Sequence, residues 1–500
     1  MAGEAPRSLQ RIKETAHHTV VYGLAGALKQ GAAVFLIPLY TRYLSPTEFG
    51  ALTLLMILGT VASLIPQASL VPSLFRSYFD YDHEQQKRVV VGTAVGLGFI
   101  LSGSITLVGG LFTPIICLAV FNDDAFVAMS RLILLNAFFA SMSTIALGVL
   151  RAQRRSTRYS LVSLLAFVVQ IATTILLVSV VHMGLSGVIW GTLAGSIASF
   201  AVALTSLGGT RIYLFSLEES GKMLRYGLPF IPTQVMGSIS SFADRFFLQR
   251  MVSLAAVGVY SVGQKIGSTV SLLIVEPFDL IVFPMIFAVE NDKDARDYYA
   301  RILTYFTVVS SFVVLGLSLL SKNLLRLFAA ENYWEGYRVV PFIALGLVLY
   351  GARTLLGVGL SLRRRTTYFP IAVGLGTLVN LMGLYFLVPA YHELGAAFAS
   401  VLGPFAVCIF YYFTGRIFYP LKLEWTRILK ALLAGAILLA LQWLAIPPIE
   451  SMLLSLAVIS VIMGLFPLLI WALGFLDYEE RRWLRSSLDR AMLWIKGRRE

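Results

Sequence analysis

Five of the 40 Lys and Arg residues stand inside long apolar runs: Lys29, Arg131, Arg245, Lys265 and Arg353. An ionised group at the centre of a bilayer costs at least about 2.5 kcal/mol on insertion scales, so each needs a wet cavity or a partner. Arginine presents a planar fork of donors and lysine a compact point charge, and both suit anionic oxygens. Neutral donors follow at helical spacing. Gln234, Ser238, Ser241 and Arg245 are spaced 4, 3 and 4, which predicts one polar stripe. Ser261, Lys265, Ser268, Glu276 and Asp279 make a second stripe, and Tyr22, Lys29 and Tyr40 share a face of a third helix. Arg131 lies near the start of its run and can snorkel to the interface instead. Arg42, at the end of the first run, reads as an anchor or a gate. Asp244 beside Arg245 reads as a coupling or gating carboxylate, or as a structural salt-bridge partner, either locally or with Lys265. Glu276 and Asp279 flank Pro277 and suit either a proton or sodium coupling site or a gate closing on arginine; nearness to the interface is the plainer alternative.

The elements that carry these groups must be membrane helices. Only 13% of the 500 residues are charged and 57% are hydrophobic, with a mean hydropathy of +0.78. A soluble domain carries about 25% charge, so soluble, disordered, collagenous and disulfide-rich classes are excluded. Fourteen stretches reach the roughly 20 residues needed to span hydrocarbon. Ten-residue alternation is absent, which disfavours a β-barrel. Thirty Lys and Arg fall on the side of the termini and five on the other, a distribution that predicts cytoplasmic termini. The same clustering explains the net charge of +13 without nucleic acid. No cleavable signal is visible. Cys117 and Cys408 read as small buried hydrophobes. His17, His18, His182 and His392 lack ligand-like companions, so no metal or cofactor is expected.

Self-similarity appears at an offset of 208 residues. Arg42, Ser45 and Gly50 match Arg250, Ser253 and Gly258; Gly187 matches Gly395 and Gly195 matches Gly403. The basic turn Arg154-Arg155 meets Arg364-Arg365 at 210. Six spans separate the copies, an even number, so the repeat is parallel and a cavity is expected between its lobes. The expected organisation is a basic N-terminus (1–16), an N-lobe of six spans (17–207), a cytoplasmic linker (208–225) and a C-lobe of six spans (226–415). An added helical hairpin (427–476) and a basic amphipathic tail (477–500) follow. In the tail Leu484, Leu488, Met492 and Ile495 share a face suited to anionic lipid.

Three signatures carry a resemblance. The first is Pro38-Leu-Tyr-Thr-Arg42-Tyr-Leu-Ser-Pro46-Thr-Glu-Phe-Gly50. The second is Tyr226-Gly-Leu-Pro229-Phe-Ile-Pro232 with Asp244-Arg245 and Val257-Gly-Val-Tyr260-Ser. The third is Asn380 with Leu394-Gly-Ala-Ala397. Through them the chain resembles the polysaccharide-transport (Wzx-type) flippases of the multidrug/oligosaccharidyl-lipid/polysaccharide exporter superfamily. The resemblance implies an all-α, fourteen-helix, two-lobe flippase for a polyprenyl-diphosphate-linked oligosaccharide, such as an O-antigen, capsule or exopolysaccharide unit. It also implies a multi-pass protein of the bacterial cytoplasmic (cell inner) membrane, with a polysaccharide polymerase and a chain-length regulator as neighbours. On that reading Lys29, Arg42, Arg245, Lys265 and Arg353 would meet the diphosphate. Tyr22, Gln234, Ser238, Ser241 and Asn380 would line the glycan path.

Two alternatives are set against this. A drug antiporter of the same fold predicts an acidic or aromatic cavity, whereas the spans hold five basic residues against three acidic ones. A membrane glycan polymerase or ligase predicts catalytic residues in a sizeable outer loop. The longest such loop, 321–337, offers Tyr333, Trp334 and Glu335 without a nucleophile–base set, so the chain is not expected to be an enzyme.

Overall fold

The computed structural model describes residues 36–207, 214–365, 367–445 and 451–475, with 477, 480 and 482. The regular structure of these residues is helical and contains no strand. Hydrocarbon offers the backbone no hydrogen-bond partners, so apolar runs of this length must satisfy their own amides as helices. Eleven helices among the described residues are long and apolar enough to cross a membrane. One of them, Tyr368–Phe418, is 51 residues long and breaks at His392, whose φ of 52° lies in the left-handed region. It therefore supplies the eleventh and twelfth expected spans. The expected seventh span forms the 22-residue helix Phe230–Met251, which its polar stripe makes less apolar than the rest. Of the expected first span only the end, Ile37–Tyr43, is among the described residues. The basic N-terminus and the amphipathic face of the tail lie outside them.

Local chemistry sets several boundaries. The Ser45 hydroxyl accepts from the Glu48 amide while the Glu48 carboxylate accepts from the Ser45 amide at 2.8 Å, and Pro46 opens the helix Pro46–Asp80. The linker expected at 208–225 contains a helix, Leu217–Gly227, capped by Ser216. Its Met223 side chain is buried, and its Met223 carbonyl accepts from the Ser73 hydroxyl at 2.7 Å. Glu219 accepts from Tyr81, and Lys222 bonds to both Glu218 and Glu219. These bonds hold the Lys222 ammonium well above its usual pKa, Glu219 contributing most.

The chain forms two compact units. The first comprises Met1–Lys265, Leu325–Gly336 and Val373–Gly403. One core joins Leu70, Leu74, Val90, Ile145, Val149 and Met223. The second comprises Ile266–Leu324, Tyr337–Ala372 and Pro404–Glu500. There the C-terminal helices Trp425–Ala445 and Met452–Ala472 pack on the helix Ala295–Phe328 through Leu315, Leu319, Leu438 and Phe466. Both cysteines are buried and unbridged.

Within the first unit, contacts recur at the offset seen in the sequence. Ser253 caps its helix through the Ala256 amide at 3.1 Å, as Ser45 does through Glu48. A Cβ on Gly50 would lie 1.9 Å from the Leu254 carbonyl oxygen, and one on Gly258 would lie 2.1 Å from that of Pro46. Pro46 and Leu254 are themselves 208 apart, so this is a reciprocal contact of the kind a two-fold axis makes. The Ala330 amide donates to the Thr41 hydroxyl, and the Gln249 side-chain amide donates to the Phe121 carbonyl. Gly195 packs on Ala166 and Gln170, and Gly403 packs on Gly376 and Asn380. Arg154 and Arg364 are both left-handed, as are His182 and His392, each pair being 210 apart. The spacing is 208 for some of these pairs and 210 for others, which leaves the sequence match patchy.

Candidate functional site

The helix Phe230–Met251 and the next, Leu254–Gly267, place Asp244, Arg245 and Tyr260 together in the first unit. Asp244 and Arg245 are 6% and 8% exposed, so neither charge is relieved by bulk solvent. One Asp244 oxygen accepts from the Arg245 guanidinium at 2.8 Å and from its backbone amide at 2.9 Å. The other accepts from the Tyr260 hydroxyl at 2.7 Å. The guanidinium also bonds to the Ser241 carbonyl and lies 5.8 Å from the centroid of the Tyr260 ring. Its Nε is buried and has no hydrogen-bond partner. Of the two pairings expected for Asp244, the local one forms.

The stripe on this helix does not stay on one surface. Gln234 is exposed, and the Ser241 hydroxyl bonds back to the Gly237 carbonyl at 2.9 Å. Ser238 lines a cavity of about 480 Å³ that is otherwise apolar, walled by Leu54, Leu58, Val61, Phe242, Phe246 and their neighbours. Spacing predicts a shared face, but the opposing helix decides what that face meets. Asn380 is 4% exposed, and its amide nitrogen is spent on the Ala399 carbonyl at 2.9 Å. Its Oδ1 has no partner.

Lys265 ends the first unit in an aromatic setting. Its Nζ lies 5.5 Å from the Tyr40 ring centroid and 5.1 Å from that of Phe49. Desolvated cation–π contacts of this kind are worth about 2 kcal/mol. Phe49 meets Tyr333 edge-on at 5.8 Å, and the Tyr333 hydroxyl donates to the Leu44 carbonyl at 2.9 Å. Tyr40 was expected in the stripe with Tyr22 and Lys29, which lie outside the described residues. Arg42 and Arg131 are exposed.

In the second unit, Glu276, Asp279, Arg353 and Thr354 line one cavity of about 890 Å³, with Leu280, Phe283 and Phe287 as an apolar wall. The Arg353 guanidinium stacks on Tyr350 at 3.7 Å, and its Nε is buried without a hydrogen-bond partner. Asp279 accepts from the Thr354 hydroxyl at 2.7 Å. Before Glu276 the helix widens through a π turn, Ser271–Val275, and Pro277 and Pro284 follow. Arg353 has no carboxylate nearby in its own span; the neighbouring helix brings two. Sequence reasoning singled out Arg245, Lys265 and Arg353 but missed Tyr260, Phe49, Tyr350 and Thr354. Tyr260 and Phe49 carried a signal, in the runs Val257-Gly-Val-Tyr260-Ser and Pro46-Thr-Glu-Phe-Gly50.

With this geometry established, the chain can be set beside known proteins. Residues 39–337 match the family described as "Polysaccharide biosynthesis protein". The chain belongs to this family. No curated protein matches it. Among solved structures it is similar to the lipid II flippase MurJ in an inward closed conformation, with a TM-score of 0.71 at 15% identity over 90% of this chain and 98% of that one. It is also similar to a multidrug resistance MATE family transporter of the MOP superfamily. Facing inward, that protein gives a TM-score of 0.63 at 17% identity over 79% of this chain and 94% of that one. Facing outward, it gives 0.52 at 17% identity over 80% and 95%. The chain therefore has the fold shared by these transporters.

Proposed function

We propose that the protein is a flippase carrying a polyprenyl-diphosphate-linked oligosaccharide from the cytoplasmic to the outer leaflet by alternating access. The observation that carries this reading is the buried Asp244–Arg245–Tyr260 network, with Lys265 on the adjoining helix, in a chain of the polysaccharide family. A buried, hydrogen-bonded guanidinium with an unused Nε is a preorganised donor for phosphate oxygens. Lys265 would add a point charge held by rings that tolerate the change in hydration as a diphosphate arrives. Lys29 and Arg42 are the further cations this reading enlists, and Gln234, Ser241 and Asn380 the further polar groups toward the glycan. The tail of the lipid can stay in the bilayer, so no enclosed pocket of its length is required. The excess of basic residues on one side of the membrane supports cytoplasmic termini in a bacterial inner membrane.

Removing Arg245 alone would strand the Asp244 carboxylate, so the informative variant is Asp244→Asn with Arg245→Gln, combined with Lys265→Gln. Hydrogen bonds to charged groups contribute about 1.5–3 kcal/mol each, so the triple variant should lower export at least tenfold while remaining inserted. The readout is the leaflet distribution of lipid-linked glycan in cells, followed by proteoliposomes. Glycan trapped on the cytoplasmic leaflet without the protein, released by wild type and not by the variant, supports the reading. Normal export by a well-expressed variant refutes the site.

The second reading, a small-molecule antiporter, draws on the match to multidrug transporters and on the carboxylates Glu276 and Asp279. It predicts uptake or efflux of organic cations by the same proteoliposomes and no change in glycan lipid.

A further inference from the structure

We propose that the cavity of the second unit is a phospholipid site selective for the ethanolamine headgroup. Its lining contains one cation, Arg353, and two carboxylates, Glu276 and Asp279. A diphosphate fits this sign pattern poorly, because the carboxylates outnumber the guanidinium. A zwitterion fits it: a phosphate beside Arg353 and an ammonium beside the carboxylates. Tyr350 holds the guanidinium by its face, which leaves the N–H edge for a ligand, and Nε has no protein partner. Thr354 takes one oxygen of Asp279 and orients the other. The rest of the wall is lipid-like in the relevant sense. Leu280, Phe283 and Phe287 line the cavity and are 75%, 57% and 45% exposed, which gives acyl chains an exposed apolar surface to run along from the polar pocket. A primary ammonium donates three hydrogen bonds to carboxylates and a trimethylammonium donates none, so the site should separate ethanolamine from choline headgroups. The inference is independent of the flippase reading, since it concerns a lipid that stays in its leaflet.

The test uses the purified full-length protein, delipidated in detergent and titrated with palmitoyl-oleoyl phosphatidylethanolamine, phosphatidylcholine or phosphatidylglycerol, with bound lipid read by native mass spectrometry. Wild type should hold phosphatidylethanolamine at least tenfold more tightly than phosphatidylcholine. Glu276→Gln with Asp279→Asn should reduce that ratio to about one. Arg353→Gln should weaken both lipids together. Equal binding of the three lipids by wild type overturns the proposal with no variant needed. Preference for phosphatidylglycerol overturns it too, since the occupant would then be an anion. Retention of the tenfold ratio in the double carboxylate variant would overturn the assignment of the ammonium to these residues.

Discussion

Replacing Gly50 by alanine would test the reciprocal helix contact most directly. The new Cβ would sit 1.9 Å from the Leu254 carbonyl oxygen and 3.1 Å from the Gly258 amide nitrogen. Real Cβ atoms essentially never approach closer than 3.0 Å, so the helices must part by about 1 Å. Both obstacles are backbone, so no rotamer change relieves them. Overpacking of this kind costs about 1–3 kcal/mol, and only about 0.8–1 kcal/mol returns through the better helix propensity of alanine. Gly258→Ala meets the Pro46 carbonyl at 2.1 Å and should behave alike. The two changes break one contact, so the double variant should destabilise by less than the sum, with a coupling of about 0.5 kcal/mol or more. Gly464→Ala and Gly110→Ala are the controls. Nothing lies within 4 Å of a Cβ there, so they should be neutral or stabilising by up to about 1 kcal/mol. Denaturant unfolding of all five variants in mixed micelles measures the series. Wild-type stability in both Gly50→Ala and Gly258→Ala would refute the argument, as would strict additivity in the double variant.

Three further predictions concern the ends of helices and the charges that hold them. Arg427 is buried and bonds to Glu424, Asp477 and Glu480, the last at 2.8 Å to both oxygens. Arg427→Gln strands these carboxylates and should cost about 3 kcal/mol, read as a lower melting temperature and faster proteolysis after residue 475. Burial pushes the Glu480 carboxyl up, but bonds from Tyr305 and Arg427 outweigh it and hold the pKa below the usual carboxylate value. The stability this contributes is present above that usual value and is lost as pH falls through the lowered one; a melting curve against pH should show an acid limb that Glu480→Gln flattens. Ser45→Ala removes a reciprocal cap and should cost about 1 kcal/mol, whereas Ser253→Ala should cost less because Ala256 returns no bond to its cap. Thermal melts of the two variants give the comparison.

Much of the fold was legible because a bilayer leaves an apolar run almost no choice. Hydropathy picked out the helices. The break at His392 was legible as a turn between two spans. Leu217–Gly227 was not read as a helix, since its register depends on burying Met223 against the first unit's core. The offset of 208 was visible only in scattered residues, because the contacts that recur at it within the first unit involve backbone carbonyls that leave no mark in the sequence.

The functional residues divide in the same way. That Arg245, Lys265 and Arg353 need partners followed from residue type alone, because the cost of a charge in hydrocarbon does not depend on the fold. Which partner each one takes depends on the packing of a second helix. Tyr260 reaches Asp244 only when Leu254–Gly267 lies beside Phe230–Met251, Phe49 comes under Lys265 from a segment more than 200 residues away, and Glu276 and Asp279 share a cavity with Arg353 across two helices. Periodicity assigns a face to each helix, and tertiary packing decides what that face meets, because contact across helices depends on their relative rotation and depth, which no single helix encodes.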